Sequence, residues 1–256
     1  MNTHKIVLAL DASSGQRSHL TDSNIEIAME IAFQFNEELL TLLIQNPDLV
    51  KMFALPFTRE LTAHGKSFYA SDDTDMAVSI KRNTNRLKQK VATKAQRAKV
   101  VPQFRLICDP DHKMCFDARQ SKILVIGPKH KGSLMATNIT ANARDRRNGC
   151  LLFESTPGSK NAFILATKKA KKLKQKLNII AQQSYVSELQ ELLAVDPIDH
   201  TLIIIKNDMS VMELVDLLKQ LKTDIFYCST SSCFLENDDS FDLFLQKMTP
   251  SLVLTS

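Results

Sequence analysis

Tryptophan is absent from the 256-residue chain, and tyrosine occurs three times. Single-stranded nucleic acid is gripped largely by stacking its bases on aromatic rings, so the chain is poorly supplied for that task. Also missing is any apolar run of the roughly 18 residues that a membrane span needs. The first apolar run, Ile6-Val7-Leu8-Ala9-Leu10, is short and meets Asp11 at once. A secretory signal would carry a longer apolar region ending in small residues. The run therefore reads as a strand, and a cytoplasmic location is expected. Cysteine is sparse and odd in number, five residues without close pairing. Free thiols are expected rather than a disulfide framework. A dominant charge is lacking too: 33 basic against 28 acidic residues leave +5. That balance permits contact with anions but does not demand a nucleic acid.

Apolar material is plentiful: hydrophobic residues make up 44% of the chain, enough for one large or two small domains. Runs of strand length alternate with segments of helical period. Lys5 to Leu10 predicts a strand. Asp22 to Phe35 predicts a helix with Ile25, Ala28, Ile31 and Ala32 on one face and Asp22 or Ser23 as its cap. Leu39 to Ile44 predicts the second strand, followed by an irregular stretch from Gln45 to about Ser71. Thr74 to Lys99 predicts a long basic helix with an apolar stripe of Leu87, Val91, Ala95 and Ala98. Val100 to Ile107 reads as a strand, Pro110 to about Gln120 as a short helix and Ile123 to Ile126 as a strand. Ala136 to Arg147 reads as a helix and Cys150 to Phe153 as a fifth strand. Continuously apolar strands separated by helices indicate an α/β fold with a doubly wound parallel sheet.

Thr156-Pro157-Gly158-Ser159-Lys160 has the composition of a linker. Beyond it the pattern restarts with a strand at Ala162 to Ala166 and a very basic helix at Lys168 to Leu177. Next come a strand at Asn178 to Ala181, a helix at Val186 to Leu193 and a strand at His200 to Ile205. A helix at Val211 to Leu221, a strand at Ile225 to Cys228, a helix near Phe241 to Met248 and an apolar run at Leu252 to Leu254 complete the chain. This half lacks room for a second helix as long as that of the first half and for the strand that goes with it. Two related α/β domains are expected, residues 1–155 and a shortened second copy over residues 156–256.

Several stretches together resemble the universal stress protein family. The first strand ends in Leu10-Asp11-Ala12-Ser13, similar to that family's Asp-Gly-Ser-like turn. Ile25 to Ile44 follows the course of its first helix and second strand. Cys108-Asp109-Pro110 stands where the family often has Gly-Asp-Pro, and Ile123 to Leu134 matches its signature strand and loop. Cys150-Leu151-Leu152-Phe153 loosely matches its closing strand. The resemblance covers about residues 4–155 in the right order and is fainter beyond. It implies two doubly wound domains of adenine-nucleotide α-hydrolase-like type, the second reduced. It also implies pairing of domains through their fifth strands, here an intramolecular pseudo-dimer with Cys150 to Phe153 near the interface, or a homodimer.

Nucleotide-binding members carry Gly, two residues, Gly, nine residues, then Gly-Ser or Gly-Thr. Glycines let backbone N–H groups approach phosphates, and the following helix N-terminus adds a favourable dipole. Aligned on Gly127, this chain has His130 at the second glycine and Thr140-Ala141 at the last pair. The spacing survives and the glycines do not, so the loop is degenerate. By resemblance the cofactor-contacting positions are Asp11, Ala12, Gly127, His130, Gly132, Ser133, Thr140 and Ala141, and the ligand is ATP or another adenine nucleotide.

Other readings of these residues carry less. Gly127 and Gly132 have Walker A spacing, but Ser133 and Leu134 replace the Lys and Ser/Thr that engage phosphate and metal. Ser13 to Ser18 has the look of an adenylating pyrophosphate loop without its second Gly or its Asp, and reads as a polar connection. Cys108, His112 and Cys115 are too few for a tetrahedral metal site. The run from Lys168 to Lys176 could contact nucleic acid, an acidic partner or anionic lipid, though charge runs usually mark a solvated face. The six histidines are scattered, and no nucleophile, base and orienting group converge. The reading is a stress-response binding or regulatory protein with a degenerate nucleotide loop. The alternatives are an ATP-binding protein or adenine-nucleotide enzyme of that family, and a partner- or nucleic-acid-docking module using the basic helix.

Overall fold

The computed structural model describes residues 6–12, 18–45, 59–61, 67–69, 73–108, 121–126, 148–235, 238–248 and 250–256. The chain divides into two compact units, one of Val7–Ala118 and one of Met1–Ile6 with Arg119–Ser256. This boundary lies at 118/119, whereas the composition of Thr156 to Lys160 had placed one at 155/156.

In the Val7–Ala118 unit, β1 (Ile6–Asp11) and β2 (Leu39–Gln45) are almost wholly buried. They lie beside β5 (Pro102–Cys108) in the spatial order β5-β2-β1, with β2 and β5 parallel. Helix α1 (Ser18–Phe35) buries Ile25, Ala28, Ile31 and Ala32 as its period requires. It starts earlier than its sequence pattern indicates, so Asp22 and Ser23 are interior positions and not caps. Asp22 instead meets Lys90 at 2.8 Å and Lys94 at 3.2 Å, both on α2 (Asp73–Ala98), and Lys94 also reaches Glu26 at 2.8 Å. Val91 and Ala95 of α2 are fully buried. The stretch expected to be irregular contains a short antiparallel pair, β3 (Arg59–Leu61) and β4 (Ser67–Tyr69).

The second unit holds β6 (Ile123–Ile126), β7 (Gly149–Phe153), β8 (Leu177–Gln182), β9 (His200–Ile205), β10 (Ile225–Ser229) and β11 (Ser251–Thr255). Their spatial order is β6-β11-β10-β7-β8-β9. All neighbours are parallel except β6 with β11, which are antiparallel. Numbered from β7, the last five strands run 3-2-1-4-5 across the sheet, a doubly wound order. The α/β expectation therefore holds, with two corrections.

The first concerns β7. Cys150 to Phe153 is the central strand of this unit, flanked by β8 and β10, and it closes no edge. Central and edge strands of a parallel sheet both read as continuous apolar runs, so hydropathy alone does not order them. Counting β7, the stretch has five strands. The shortening lies in its helices: α4 (Val186–Val195) has 10 residues against the 26 of α2.

The second correction concerns residues 156–177. The linker, strand and helix expected there are one helix, α3 (Pro157–Leu173). Pro157 fits a first helical turn, where its missing N–H costs nothing. Thr156 caps the helix by accepting from Ser159 N at 3.1 Å. Ala162, Ala166 and Ala170 recur every four residues on its buried face. Helix α5 (Val211–Gln220) begins with a reciprocal capping box between Ser210 and Glu213, and α6 (Asp238–Lys247) precedes β11.

A shared device ends four helices. Asn36, Lys99, Lys174 and Lys222 adopt left-handed backbone conformations with φ of 50–56°. Behind each, a paired set of backbone bonds closes the turn, as in Gln175 N to Ala170 O at 2.9 Å and Lys174 N to Lys171 O at 3.1 Å. Glycine ordinarily fills this position; this chain has only six glycines, and lysine or asparagine takes it at the cost of backbone strain.

Candidate functional site

Ligands of doubly wound sheets bind outside the carboxyl ends of the strands, where successive connections depart to opposite sides. In the second unit the chain leaves β7 toward β8 and later returns to β10 on the other side. The ends of β7 and β10 therefore frame its crevice. Glu154 follows β7 directly and is only 7% exposed. Its backbone N–H donates to Ser159 Oγ at 3.0 Å, which anchors it to the first turn of α3. Its Oε1 accepts from the backbone N–H of Cys233 at 3.1 Å and from the Cys233 thiol at 3.0 Å. Oε2 is buried and has no hydrogen-bond partner among the described residues. The next residue, Ser155, is left-handed at φ 60°. Its hydroxyl donates to Glu188, which also meets Lys160 at 2.7 Å. These two donors hold the Glu188 carboxyl below its ordinary value.

The crevice is sealed by packing. A Cβ on Gly158 would lie 2.4 Å from Ser229 Oγ and 2.5 Å from the backbone oxygen of Thr255. Glycine is needed here for the close approach of α3 to the ends of β10 and β11. Thr255 Oγ1 donates to the Gly158 carbonyl at 2.5 Å, and Thr230 N to the Thr255 carbonyl at 2.8 Å. The N–H groups of Ser159 and Lys160 are both spent on Thr156. The helix N-terminus therefore has close packing where an anion would otherwise sit.

At the end of β1, Asp11 is half-buried and Ala12 fully buried. Ala12 N donates to Ile44 O at 2.7 Å, so that N–H belongs to the link with β2. Gln45 at the end of β2 donates to Thr84 Oγ1 of α2 at 3.2 Å. Of the eight positions named from the sequence, Asp11 and Ala12 are the ones the structure places. Gly127, His130, Gly132, Ser133, Thr140 and Ala141 lie outside the described residues, as do His112 and Cys115 and the short helices expected near residues 110–120 and 136–147.

Among the described residues no group of three His, Cys, Asp or Glu side chains is arranged to hold a metal, and no helix is long and apolar enough to cross a membrane. Among the described cysteines, Cys150 and Cys228 are buried and Cys233 is exposed. Burial pushes Cys150 up to about 12, the Thr223 hydroxyl pulling the other way, so this thiol is not a nucleophile near neutral pH. At the amino ends of the strands, Gly149, Ala170, Leu177, Ile225 and Tyr227 line a cleft of about 10 Å³, rimmed by Lys169 and Lys176. It is too small for anything beyond about one water.

The lysine-rich end of α3 is exposed at Lys168, Lys171, Lys172 and Lys174. Lys171 is hydrogen-bonded to Asp196, which lowers the Asp196 pKa, with Lys168 adding a smaller electrostatic effect. The Glu154 cluster was missed from sequence, yet one signal could have found it. Leu151-Leu152-Phe153-Glu154-Ser155-Thr156 repeats the pattern of Leu8-Ala9-Leu10-Asp11-Ala12-Ser13: three apolar residues, an acid, a small residue and a hydroxyl.

No protein-family model matches this sequence, and no curated protein sequence does. Solved structures do match in fold. A universal stress protein from Archaeoglobus fulgidus DSM 4304 is 11% identical, with 99% of this chain and 97% of that chain covered at a TM-score of 0.52. A functionally unknown protein from Pseudomonas aeruginosa PAO1 is 8% identical over 98% of this chain and 92% of its own, at 0.48. A protein from the universal stress protein family of Burkholderia pseudomallei is 13% identical over 80% and 99%, at 0.29. The first of these establishes likeness of fold over nearly the whole chain.

Proposed function

We propose that the chain is a universal-stress-protein-like binding or regulatory protein of the stress response, and not an enzyme, with two α/β repeats and a degenerate nucleotide loop after β6. The observation that carries this reading is an acid at the carboxyl end of a buried strand in each unit, Asp11 as the last residue of β1 and Glu154 directly after β7. It is supported by a full-length likeness in fold to the Archaeoglobus protein. In the second unit Gly158 packs against Ser229 and Thr255, which sets the first turn of α3 close onto the ends of β10 and β11. Any nucleotide capacity is assigned to the loop after β6, where His130 and Thr140 stand in place of the glycines that let backbone approach phosphate and Ala141 in place of Ser or Thr.

Titration calorimetry of the purified chain with ATP and magnesium tests this. The expected result is no saturable binding in the micromolar range. Saturable micromolar binding that is lost on Asp11→Ala would overturn the degenerate-loop reading in favour of an ATP-binding protein of the same kind. Nucleotide turnover dependent on Asp11 would instead favour an adenine-nucleotide enzyme. Exposure of the lysine-rich end of α3 favours one further reading, docking of an acidic partner. It predicts a salt-dependent association lost on reversing those charges.

A further inference from the structure

Strand β9 is the last strand in its sheet order and pairs with β8 alone among the described residues. Natural edge strands are commonly guarded by charge or proline so that they do not pair with another chain. In the Val7–Ala118 unit, β5, at the end of the order β5-β2-β1, has both, Pro102 and Arg105. His200-Thr201-Leu202-Ile203-Ile204-Ile205 has neither. Ile204 is 53% exposed and the four residues before it are half-buried. Among the described residues of this unit, the exposed large apolar side chains are Ile164, Val195, Ile204 and Met212. Three of these four lie on β9 or on the helices immediately before and after it.

The backbone of β9 fixes how a second strand would attach. Leu177 N donates to Asp199 O at 3.0 Å, so the Asp199 carbonyl points toward β8. Backbone groups alternate along a strand, so those of His200, Leu202 and Ile204 point away from β8 into the open edge. A copy related by a two-fold axis runs antiparallel and must set residues of like parity opposite each other. The register that uses all three open residues places Leu202 opposite Leu202, with His200 opposite Ile204 on either side. Each facing pair exchanges two hydrogen bonds, giving about six across the junction. The same arrangement brings the exposed Asp199 end of one strand against the exposed Lys206 end of the other, at both ends.

We infer that β9 is a self-association edge, through which two copies of this chain join antiparallel with Leu202 on the two-fold axis. The inference is independent of any nucleotide. It is tested by sedimentation equilibrium of the full chain over a wide concentration range, with three variants. Ile204→Lys sets a charge on the edge and is expected to raise the dimer dissociation constant about tenfold or more. Leu202→Cys is expected to crosslink as a dimer under mild oxidation beyond the level of the unmodified chain. Facing hydrogen-bonded residues stand about 5.5 Å apart between Cα atoms, within disulfide reach. Ile203→Cys faces Thr201 of the copy and is expected to stay at the background level. A chain that remains monomeric at several hundred micromolar overturns the inference. So does a dimer indifferent to Ile204→Lys, or one that crosslinks no better through residue 202 than through residue 203.

Discussion

At the end of β1 the Asp11 side chain is half-buried beside Ala12, whereas at the end of β7 the Glu154 side chain is clamped by Cys233 and buried. Both follow an apolar strand, and both precede a small residue. The difference lies in what closes over them. In the second unit the first turn of α3 is pulled onto the ends of β10 and β11, and Gly158 permits the approach. A carboxylate at a strand end is therefore drawn into the packing when the next helix begins close to the neighbouring strands. Glu154 acts as a structural acceptor that organises the turn carrying Cys233.

The sealing of the second unit is most directly broken at Gly158. Gly158→Ala puts a methyl group against a backbone oxygen that cannot swing away, at 2.5 Å. Overpacking of this kind costs up to about 3 kcal/mol. The urea midpoint should fall accordingly with the slope unchanged. A variant as stable as the parent would mean that the α3 start does not sit on β11.

Next in size is the contrast between the two acids. Glu154→Ala strips the acceptor from the Cys233 N–H and leaves a small void. A loss of about 2 kcal/mol is expected in chemical unfolding. Asp11→Ala leaves the Ala12-to-Ile44 bond intact and should cost less than half as much. Equal losses would erase the distinction between a buried organising acid and a half-buried one.

Much of the fold was legible because parallel strands are short apolar runs. Ile123 to Ile126 and His200 to Ile205 were bounded correctly from sequence. The failure at α3 has a physical source. Ala162 to Ala166 is five apolar residues long, and such a run fits a buried strand as well as the inner face of a helix. The evidence that decides it is Thr156-Pro157, a cap followed by a first-turn proline, which composition alone presents as a linker. Of the helix ends marked by a left-handed residue, those before Asn36, Lys99 and Lys222 were placed within a residue from the loss of apolar period, and the one before Lys174 was set at Leu177, four residues late, with no glycine to signal it. Of the candidate site, Asp11 could be singled out because it ends an apolar run. The Glu154–Cys233 contact spans 79 residues, and no local pattern links its partners.

The helix ends yield a smaller effect in the opposite direction. A left-handed backbone costs a lysine roughly 1 kcal/mol, and glycine avoids this while losing more chain entropy on folding. Lys174→Gly in the second unit and Lys99→Gly in the first should each stabilise by about 0.5 kcal/mol, read as a raised urea midpoint. The two units differ at their strand ends but share this device, so the two gains should be similar. A gain in one and a loss in the other would show that the tight closure of the second unit also governs its helix ends.

An effect no larger than this separates the units by pH. Burial pushes the Asp22 carboxyl up, but hydrogen bonds and charge from Lys90 and Lys94 outweigh it, and the group titrates below its ordinary value. A depressed carboxylate adds stability above its unfolded value, near 3.9, and that stability is lost as the pH falls through the folded value. The side chains are about a quarter exposed, so solvent screening limits the benefit to roughly 0.5 kcal/mol. Asp22→Asn should lower stability by that amount at pH 7, and the gap to the parent should narrow toward pH 3. Hydrogen exchange on α1 and α2 provides the local readout, since Asp22 joins those two helices. A gap that persists undiminished in acid would assign the effect of the substitution to packing and leave the Lys90–Lys94 clasp without a net contribution.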